Sequence, residues 1–438
     1  MDDKTVLISG AGIAGPTLAY WLARHGFRPT VVELAPGVRS SGSPVDVRGP
    51  AVAVAERMGI ARRLREAGTD VTDLWFVNAE GRRTGGLSLG ALPGAAAGGR
   101  DVEIGRGDLA AILQETSRDH AEFLFGDSIA TIDQDEHGVD VTFRHAPPRR
   151  FGLVIGADGQ HSTVRRQVFG PESRFVAHAG LYVATLPLGG APAPHPRTVV
   201  AHNTPGRMVA VHPRRGDSLA FFAYRAAPVP DFDHRDADAH KRLLGDAYAG
   251  GGWRIPELLE RVRTTEELYF DAVSRVRMDR WSHGRTALLG DAASSVSLFG
   301  DGSTLAMAGA YTLAAELAAS PEDHAGAFRR YEERHRRLVD PKQRGVERAA
   351  AMLVPATRAG IVARNLASRV WSAAAEKRGT EKQLAPGPRG LLRWGRSRRP
   401  VGNHQCVIDP EVSSLMTVIA QGAARTQKTI NVTSVVSG

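Results

Sequence analysis

A glycine-rich turn between a short apolar run and a helical pattern constrains the fold of this chain more than any other feature. Val6–Ser9 predicts a buried parallel strand, and a helical pattern of apolar residues begins at Ile13. Between them lies the run GAGIAG, residues 10–15. Glycines here permit a tight turn and let the backbone approach a pyrophosphate, whose oxygens then meet free N–H groups at the start of the helix. The turn predicts the opening of a β–α–β nucleotide-binding unit.

An acid at the end of the next predicted strand strengthens this interpretation. Gly26 closes the helix, Thr30–Leu34 predicts a second strand, and Glu33 follows Gly15 by 18 residues. An acid at this distance can accept hydrogen bonds from ribose hydroxyls. The glycine run alone could be an ordinary tight turn. Together with the strand, the helix and the acid it favours dinucleotide binding, although the pattern does not distinguish FAD from NAD.

Three shorter motifs follow, and each is compatible with a simple capped turn or a surface side chain. The first is GADG, residues 156–159, after the predicted strand Leu153–Ala157. The second is GDAA, residues 290–293, after the strand Thr286–Leu289, with GDG at 300–302 further on. The third is RGDL, residues 106–109, in which an arginine can reach a phosphate or a sugar-alcohol chain as a donor. A carboxylate at the end of a parallel strand faces the cleft where such cofactors bind.

The middle of the chain has a different pattern from both ends. Alternating segments at 181–186, 198–202, 207–212 and 218–224 predict antiparallel strands. Helices are predicted at Ala51–Gly68, Leu109–Thr116 with Asp108 as its N-cap, Leu305–Ala319, Phe328–Leu338 and Arg344–Leu353. We therefore expect an α/β nucleotide-binding domain formed by residues 1–75, 100–172 and 275–350. A substrate domain formed by 76–99 and 173–274 is inserted into it, and helices and a basic tail follow at 351–438.

The charge of +9 does not indicate a nucleic-acid-binding face. Eight of the lysines and arginines, against one acid, lie between Lys377 and Arg399, in a Gly/Pro-containing stretch typical of a solvated tail. In that tail Leu391, Leu392 and Trp394 could touch a membrane surface, but a loosely docked tail is the simpler interpretation. The single cysteine, Cys406, permits no internal disulfide. We expect a cytoplasmic protein with no signal peptide, membrane span or metal site, and leave the oligomeric state open.

In this order and spacing, the motifs resemble those of FAD-dependent monooxygenases of the p-hydroxybenzoate hydroxylase type, across roughly residues 1–370. They are most similar to the polyketide and aromatic hydroxylases and the tetracycline-inactivating monooxygenases. The resemblance implies a three-layer GR2-type FAD-binding domain with a mostly parallel sheet, an inserted antiparallel-sheet substrate domain and C-terminal helices. It also implies a set of cofactor-binding residues: Gly10, Gly12, Ile13, Ala14, Gly15, Glu33, Asp46, Arg106, Leu109, Asp158, Gly290, Asp291, Gly302 and Ser303.

The resemblance further implies a reaction in two halves. NADPH or NADH reduces the flavin, and oxygen then forms a C4a-hydroperoxyflavin that hydroxylates an electron-rich carbon of a bulky polyketide-like or aromatic metabolite. The candidate substrate-binding residues on the antiparallel strands are Tyr182, His202, Arg207, His212, Phe222 and Tyr224, and ordinary sheet packing is the alternative for each. No catalytic base is assigned, because His161 and His283 flank glycine turns where a solvated histidine is usual.

The segment 294–301 departs from the family pattern and keeps a second function open. The family usually has a proline several residues after the Gly-Asp, and none occurs here, while Asp301 adds a carboxylate that could oppose an anionic reduced flavin. The alternative is a non-redox [4+2] cyclase in which FAD is structural and the pocket works as an entropy trap. A flavin-loaded binding protein is a third possibility, and no residue pattern favours it.

Overall fold

The computed structural model describes residues 4–37, 43–89, 100–190, 193–295 and 301–370. Its strands, in chain order, are β1 (Thr5–Ser9), β2 (Arg28–Glu33), β3 (Pro44–Val47), β4 (Asp73–Val77), β5 (Arg83–Ser88), β6 (Val102–Gly105), β7 (Glu122–Phe125), β8 (Ile129–Gln134), β9 (Val139–Phe143), β10 (Arg149–Phe151), β11 (Leu153–Gly156), β12 (Val176–Pro187), β13 (Thr198–Thr204), β14 (Arg207–Arg214), β15 (Asp217–Arg225), β16 (Tyr269–Val276), β17 (Ser282–His283) and β18 (Thr286–Leu288). Its helices are α1 (Ala14–Arg24), α2 (Pro50–Arg57), α3 (Ala61–Ala67), α4 (Arg106–Ser117), α5 (Thr163–Val168), α6 (Ala237–Tyr248), α7 (Ile255–Thr264), α8 (Asp291–Ser294), α9 (Asp301–Ala319) and α10 (His324–Leu353). A further helical segment covers residues 358–370.

A six-stranded, mostly parallel sheet forms the middle of a three-layer α/β structure. Its order is β17-β18-β11-β1-β2-β7, and only the β17–β18 pair is antiparallel. The apolar run in β1 is buried on both faces, as expected for a central parallel strand. Helices α1, α4 and α9 pack together in one outer layer, and the antiparallel sheet β8–β10 forms the other. The predicted fold class is confirmed.

The alternating middle segments form a second, seven-stranded sheet of order β16-β12-β15-β14-β13-β4-β5. All its neighbouring strands are antiparallel except the pair β13–β4. One face packs against α6 and α7, and the other packs in part against the end of α10. Because side chains alternate along a strand, each strand of this sheet contributes to two different environments.

A two-stranded ribbon of β3 and β6 lies next to α9, and α10 contacts both large sheets. Helix α10 is one continuous helix from His324 to Leu353, so the prediction of two helices with a break between them was wrong. Pro341 lies inside it and removes one backbone hydrogen bond. Gln343, two residues further on, ties the helix to the body of the protein, because its Nε2 donates to the carbonyl oxygens of Val276 and Ser295.

Two other predicted helices also differ from the structure. The single helix expected over Ala51–Gly68 is divided into α2 and α3, because Gly59 adopts a φ of +75° that a helix cannot continue through. Helix α4 begins at Arg106, so Asp108 lies in its first turn and Gly105 is the N-cap residue. An acid in the first turn still interacts favourably with the helix dipole.

Several predictions concern residues outside the described ranges or remain open. Residues 296–300, which belong to the segment that departs from the family pattern, lie outside the described residues. So does everything after residue 370, including Cys406 and the basic tail. The domain boundaries and the cytoplasmic location remain predictions. Among the helices that the structure describes, none is sufficiently long and apolar to span a bilayer.

Candidate functional site

The glycine turn after β1 combines two positions that require glycine for packing with one that leaves open space. Gly10 has a φ of +105°, and a Cβ atom there would lie 2.5 Å from the carbonyl oxygen of Ala157. A Cβ atom on Gly15 would lie 1.9 Å from the carbonyl oxygen of Gly10. A Cβ atom on Gly12 would meet no protein atom within 4 Å. The chain therefore folds tightly around Gly10 and Gly15 and leaves the start of α1 open beside Gly12.

The turn is held from both sides by side chains. Glu33 at the end of β2 accepts hydrogen bonds from the backbone N–H groups of Ala11 and Ala35, both at 2.8 Å. Gln114 of α4 donates through Nε2 to the carbonyl oxygen of Ala11 at 2.5 Å. Sequence reasoning missed Gln114, because a buried glutamine within a helix carries no motif. The carboxylate oxygens of Glu33 keep further lone pairs, so its predicted contact with a ribose stays possible.

Asp291 and Arg106 come from distant parts of the chain and face the same cleft. Asp291 is the first residue of α8, directly after Gly290, which has a φ of +64° and packs close to Ala14 of α1. Burial raises the pKa of Asp291, and the positive charge of Arg106 opposes that shift. A Cβ atom on Gly302, at the start of α9, would lie 3.7 Å from Oδ1 of Asp291. The starts of α1, α8 and α9 therefore converge, with Arg106 opposite them.

Asp46 is attached to the start of α9 through its backbone. The hydroxyl groups of Ser303 and Thr304 both donate to the carbonyl oxygen of Asp46, at 2.6 and 2.8 Å, and the N–H of Arg48 donates to Thr304 Oγ1 at 3.0 Å. These bonds fix β3 against α9 at the edge of the cleft. Leu109, by contrast, is fully buried in the core, so its side chain packs rather than facing the cleft.

Asp158 is engaged by donors from its own chain. Its carboxylate accepts from the Ser162 hydroxyl and from the N–H groups of Thr163 and Val164, with a longer bond of 3.4 Å from the Ser9 hydroxyl. These contacts cap α5, which was the alternative interpretation of the GADG motif. Its predicted contact with the cofactor remains a prediction.

Arg165, which follows this motif, is fully buried and connects two of the predicted motifs. Its Nη1 donates to the carbonyl oxygen of Ala292 at 2.9 Å, and its Nη2 donates to that of Gln160 at 2.5 Å. The GADG turn and the GDAA turn are thus held at a fixed separation by one side chain. A buried arginine that binds two carbonyl groups is not predictable from spacing alone.

His161 is not a solvated turn histidine, and that interpretation was wrong. Its Nδ1 lies 2.9 Å from Glu172 Oε1, and its Nε2 lies 3.3 Å from Asp271 Oδ1 on β16. Its ring stacks on that of His234, with the centroids 4.0 Å apart. Burial alone would lower the pKa of His161, but the hydrogen bonds with Asp271 and Glu172 outweigh it and raise the pKa to about 9. His161 is therefore a charged link between the GADG turn and the seven-stranded sheet, whereas His283 is exposed.

Five of the six candidate substrate residues lie on the helix-covered face of the seven-stranded sheet. Tyr182, Phe222 and Tyr224 are buried in the core shared with α6 and α7. Arg207 donates to the carbonyl oxygen of Ala247 on α6, and the His202 ring lies 6.1 Å from that of Trp253. Ordinary packing, the alternative considered for each of them, therefore accounts for these five side chains.

The sixth, His212, belongs to the opposite face and contacts the ribbon, with Nε2 lying 3.1 Å from Glu103 Oε1. The strand register places a row of side chains on that same face: Ala210 pairs with Phe221, Phe221 with Thr185, and Thr185 with Tyr269. Alternation separates two faces of a strand without showing which one borders the cofactor, so the substrate-binding role of the six candidates stays a prediction.

The row ends at the cofactor cleft. Burial raises the pKa of the Tyr269 phenol, and the charges of Asp271, Arg106 and Asp291 all act on it. Helix α8, which begins with Asp291, packs against β16, which begins with Tyr269. The end of the row at Tyr269 therefore adjoins the cleft.

Comparison with known proteins identifies the family. The family described as FAD binding domain matches residues 3–339. A flavin-dependent monooxygenase of Legionella longbeachae is 35% identical over 346 residues, covering 77% of this chain and 87% of the relative. The chain belongs to this family of flavin-dependent monooxygenases.

Two further comparisons agree with that assignment. An uncharacterized protein of Mycobacterium tuberculosis is 39% identical over 343 residues, covering 78% of this chain and 92% of the relative. The crystal structure of the tetracycline destructase Tet(51) superposes with a TM-score of 0.72 at 30% identity, covering 85% of this monooxygenase and 97% of Tet(51).

The cleft of this monooxygenase fits FAD. The open space beside Gly12 at the start of α1 suits a pyrophosphate, since helix starts present free N–H groups to anions. Glu33 stands at the position for ribose hydroxyls, and Asp291 with Arg106 offers an acceptor and a donor for the sugar-alcohol chain. These assignments of individual residues are predictions, while FAD binding itself follows from the family.

Proposed function

We propose that this enzyme is an NADPH- or NADH-dependent hydroxylase of a bulky aromatic or polyketide-like metabolite. FAD bound in the cleft would supply hydride acceptance and oxygen activation. The protein's own part is to bind the acceptor beside the cofactor and to exclude water. The observation that carries the proposal is the position of Tyr269, which joins the cofactor cleft to the sheet face.

The sheet row suits a flat, largely apolar acceptor. Phe221 offers an aromatic face, and Thr185 and Tyr269 add hydroxyl groups that can orient a polar substituent. Tet(51) is named for tetracycline, a fused-ring compound, and its likeness to this enzyme supports the same substrate class here.

The carboxylate at the start of α9 is paired, which weakens the objection to oxygen chemistry. Asp301 was expected to oppose a negative charge on the reduced cofactor. In the structure its Oδ2 lies 2.7 Å from the ammonium group of Lys342 on α10. An ion pair at this distance offsets most of the field of the carboxylate. Redox chemistry therefore remains compatible with this departure from the family pattern.

The proposal is tested by mixing the yellow protein anaerobically with NADPH and with NADH, in the presence and absence of fused-ring phenols. We expect bleaching of the flavin, accelerated by an acceptor, and incorporation of one atom of ¹⁸O₂ into the product when oxygen is admitted. Conversion of a linear polyene by protein whose FAD cannot be reduced would instead support the cyclase. The segment that motivated the cyclase lies mostly outside the described residues, so no structural observation favours it.

A further inference from the structure

Asp46 is a buried carboxyl group at the edge of the cofactor cleft. It lies on β3 opposite Glu103 of β6 in the antiparallel ribbon. Only 6% of the residue is exposed. The guanidinium group of Arg48 lies 2.8 Å from its Oδ1. The bonds from Ser303 and Thr304 to its carbonyl oxygen keep it at the start of α9.

The neighbour across the ribbon is fixed in its charged form. Glu103 binds Nε2 of His212 at 3.1 Å and accepts from the Thr69 hydroxyl. Burial alone would raise the pKa of Glu103, but the hydrogen bond and the charge of His212 outweigh it and lower the pKa. Glu103 therefore presents a permanent negative charge to Asp46 near neutral pH.

A second carboxylate acts on Asp46 from α9. Asp301 contributes a negative charge, reduced by its ion pair with Lys342 of α10. Burial is the largest influence on Asp46 and raises its pKa to about 7, with Glu103 and Asp301 acting in the same direction and Arg48 against them. Among these charged groups, Asp46 is the carboxyl group that changes charge near neutral pH.

The ribbon also borders a pocket. A pocket of about 330 Å³ is lined in part by Pro44, Thr69, Gly105 and Arg214. Pro44 and Gly105 are paired across the ribbon and lie two residues from Asp46 and Glu103. Residues two apart on a strand share a face, so the pocket lies on the same side of the ribbon as both carboxyl groups. Thr69, which binds Glu103, lines the pocket as well.

We propose that Asp46 is the proton-exchanging residue of the cofactor cleft, with Glu103 and Arg48 as the positioning residues that set its affinity for the proton. The carboxylic acid of Asp46 releases its proton to water in the pocket that Thr69 lines. The carboxylate that remains would place a negative charge near the bound flavin. Loss of this proton makes the flavin harder to reduce. The proposal depends on FAD binding and on no particular acceptor.

The test measures the flavin midpoint potential and visible spectrum of the holoprotein between pH 5.5 and 8.5. We expect the plot of midpoint potential against pH to show an inflection near the pKa of Asp46. The inflection should be absent in Asp46→Asn, whose flavin should stay easier to reduce at high pH. Glu103→Gln should move the inflection to lower pH and Arg48→Gln to higher pH, each by about 0.5 unit or more. Asp238→Asn, an exposed acid on α6, is the control and should leave it unchanged.

A second measurement separates the proposal from cofactor binding. Infrared titration of the ¹³C-aspartate apoprotein should show a protonated carboxyl band that disappears near pH 7 in the native protein and is missing in Asp46→Asn. The proposal fails if no such band exists, if the inflection persists in Asp46→Asn, or if Glu103→Gln leaves it in place. A protein that shows the band but binds no FAD would contradict the cofactor assignment instead.

Discussion

Two glycines three residues apart, Gly12 and Gly15, illustrate how the same residue type serves different purposes at the cofactor cleft. Gly15 is required by the protein itself, because a side chain there would overlap the backbone of Gly10. Gly12 is surrounded by open space, so the fold does not require it. Both belong to one sequence motif, and only the structure separates the packing requirement from the space left for a ligand.

This difference predicts opposite outcomes for matched valine substitutions. Gly12→Val should fold with a melting temperature close to that of the native apoprotein but lose FAD, because its side chain fills the space for the pyrophosphate. We expect at least about a tenfold loss of affinity, or about 1.4 kcal/mol. Gly15→Val should fail to fold. Flavin absorbance and circular dichroism measure the two effects, and a Gly12→Val protein with full FAD content would contradict the placement of the pyrophosphate.

The raised pKa of Asp46 predicts that the stability of the folded protein depends on pH. Its pKa of about 7 in the folded protein lies above the value of 3.8 for a free aspartate, so the folded state retains the proton longer. The associated loss of stability is absent below pH 4, grows as the pH rises, and is complete above pH 7, with an upper limit of about 4 kcal/mol.

Asp46→Asn should therefore raise the melting temperature of the apoprotein clearly more at pH 8 than at pH 5. Calorimetry at the two pH values measures the difference, with Asp238→Asn as the control. An equal effect at both pH values would show that the carboxyl group is not held in its protonated form.

At the scale of the strand, β15 divides its side chains between two environments. Phe222 is fully buried in the core with α6 and α7, and its neighbour Phe221 faces the other way, in the row that leads to Tyr269. Adjacent phenylalanines thus provide a matched pair that differs in face and not in chemistry.

Phe221→Ala should weaken substrate binding with little change in melting temperature. Phe222→Ala should destabilise the protein by about 3–5 kcal/mol while leaving the KM of the folded fraction unchanged. Thermal unfolding and steady-state kinetics measure the two effects. If Phe222→Ala instead changed the KM alone, the proposed substrate face would be the wrong one.

His161 links two elements, the GADG turn and β16, and its contribution depends on charge. Because its pKa is raised from 6.5 to about 9, the stabilisation is complete below pH 6.5 and is lost as the pH rises through 9. Only 24% of its side chain is exposed, so solvent screens the interaction little.

His161→Gln should lower the unfolding free energy by about 1–3 kcal/mol at pH 6 and by much less above pH 9.5. Urea unfolding at the two pH values tests this, and His283→Gln, an exposed histidine on β17, should be neutral at both. If His161→Gln lowered the unfolding free energy by the same amount at high pH, the cause would be lost packing and not a lost charge.

For the whole molecule, the sequence specified the layers better than the positions of side chains. Short apolar runs ending in glycines or an acid predicted the parallel strands, and alternation predicted the antiparallel ones. The break between α2 and α3 follows from the positive φ of Gly59. The continuity of α10 through Pro341 depends on tertiary contacts, such as those of Gln343, that no local pattern contains. Gln114, Arg165 and the face of Phe221 were missed for the same reason.

The two faces of the seven-stranded sheet have a consequence for how such an enzyme acquires new acceptors. Positions 185, 210, 221 and 269 form the proposed substrate row, while their neighbours at 182, 222 and 224 lie in the core with α6 and α7. Mutations that alter selectivity are thereby largely uncoupled from mutations that endanger the fold. A combinatorial library restricted to positions 221 and 269, which are only partly buried, should yield mostly folded, yellow variants from which altered preferences can be selected directly.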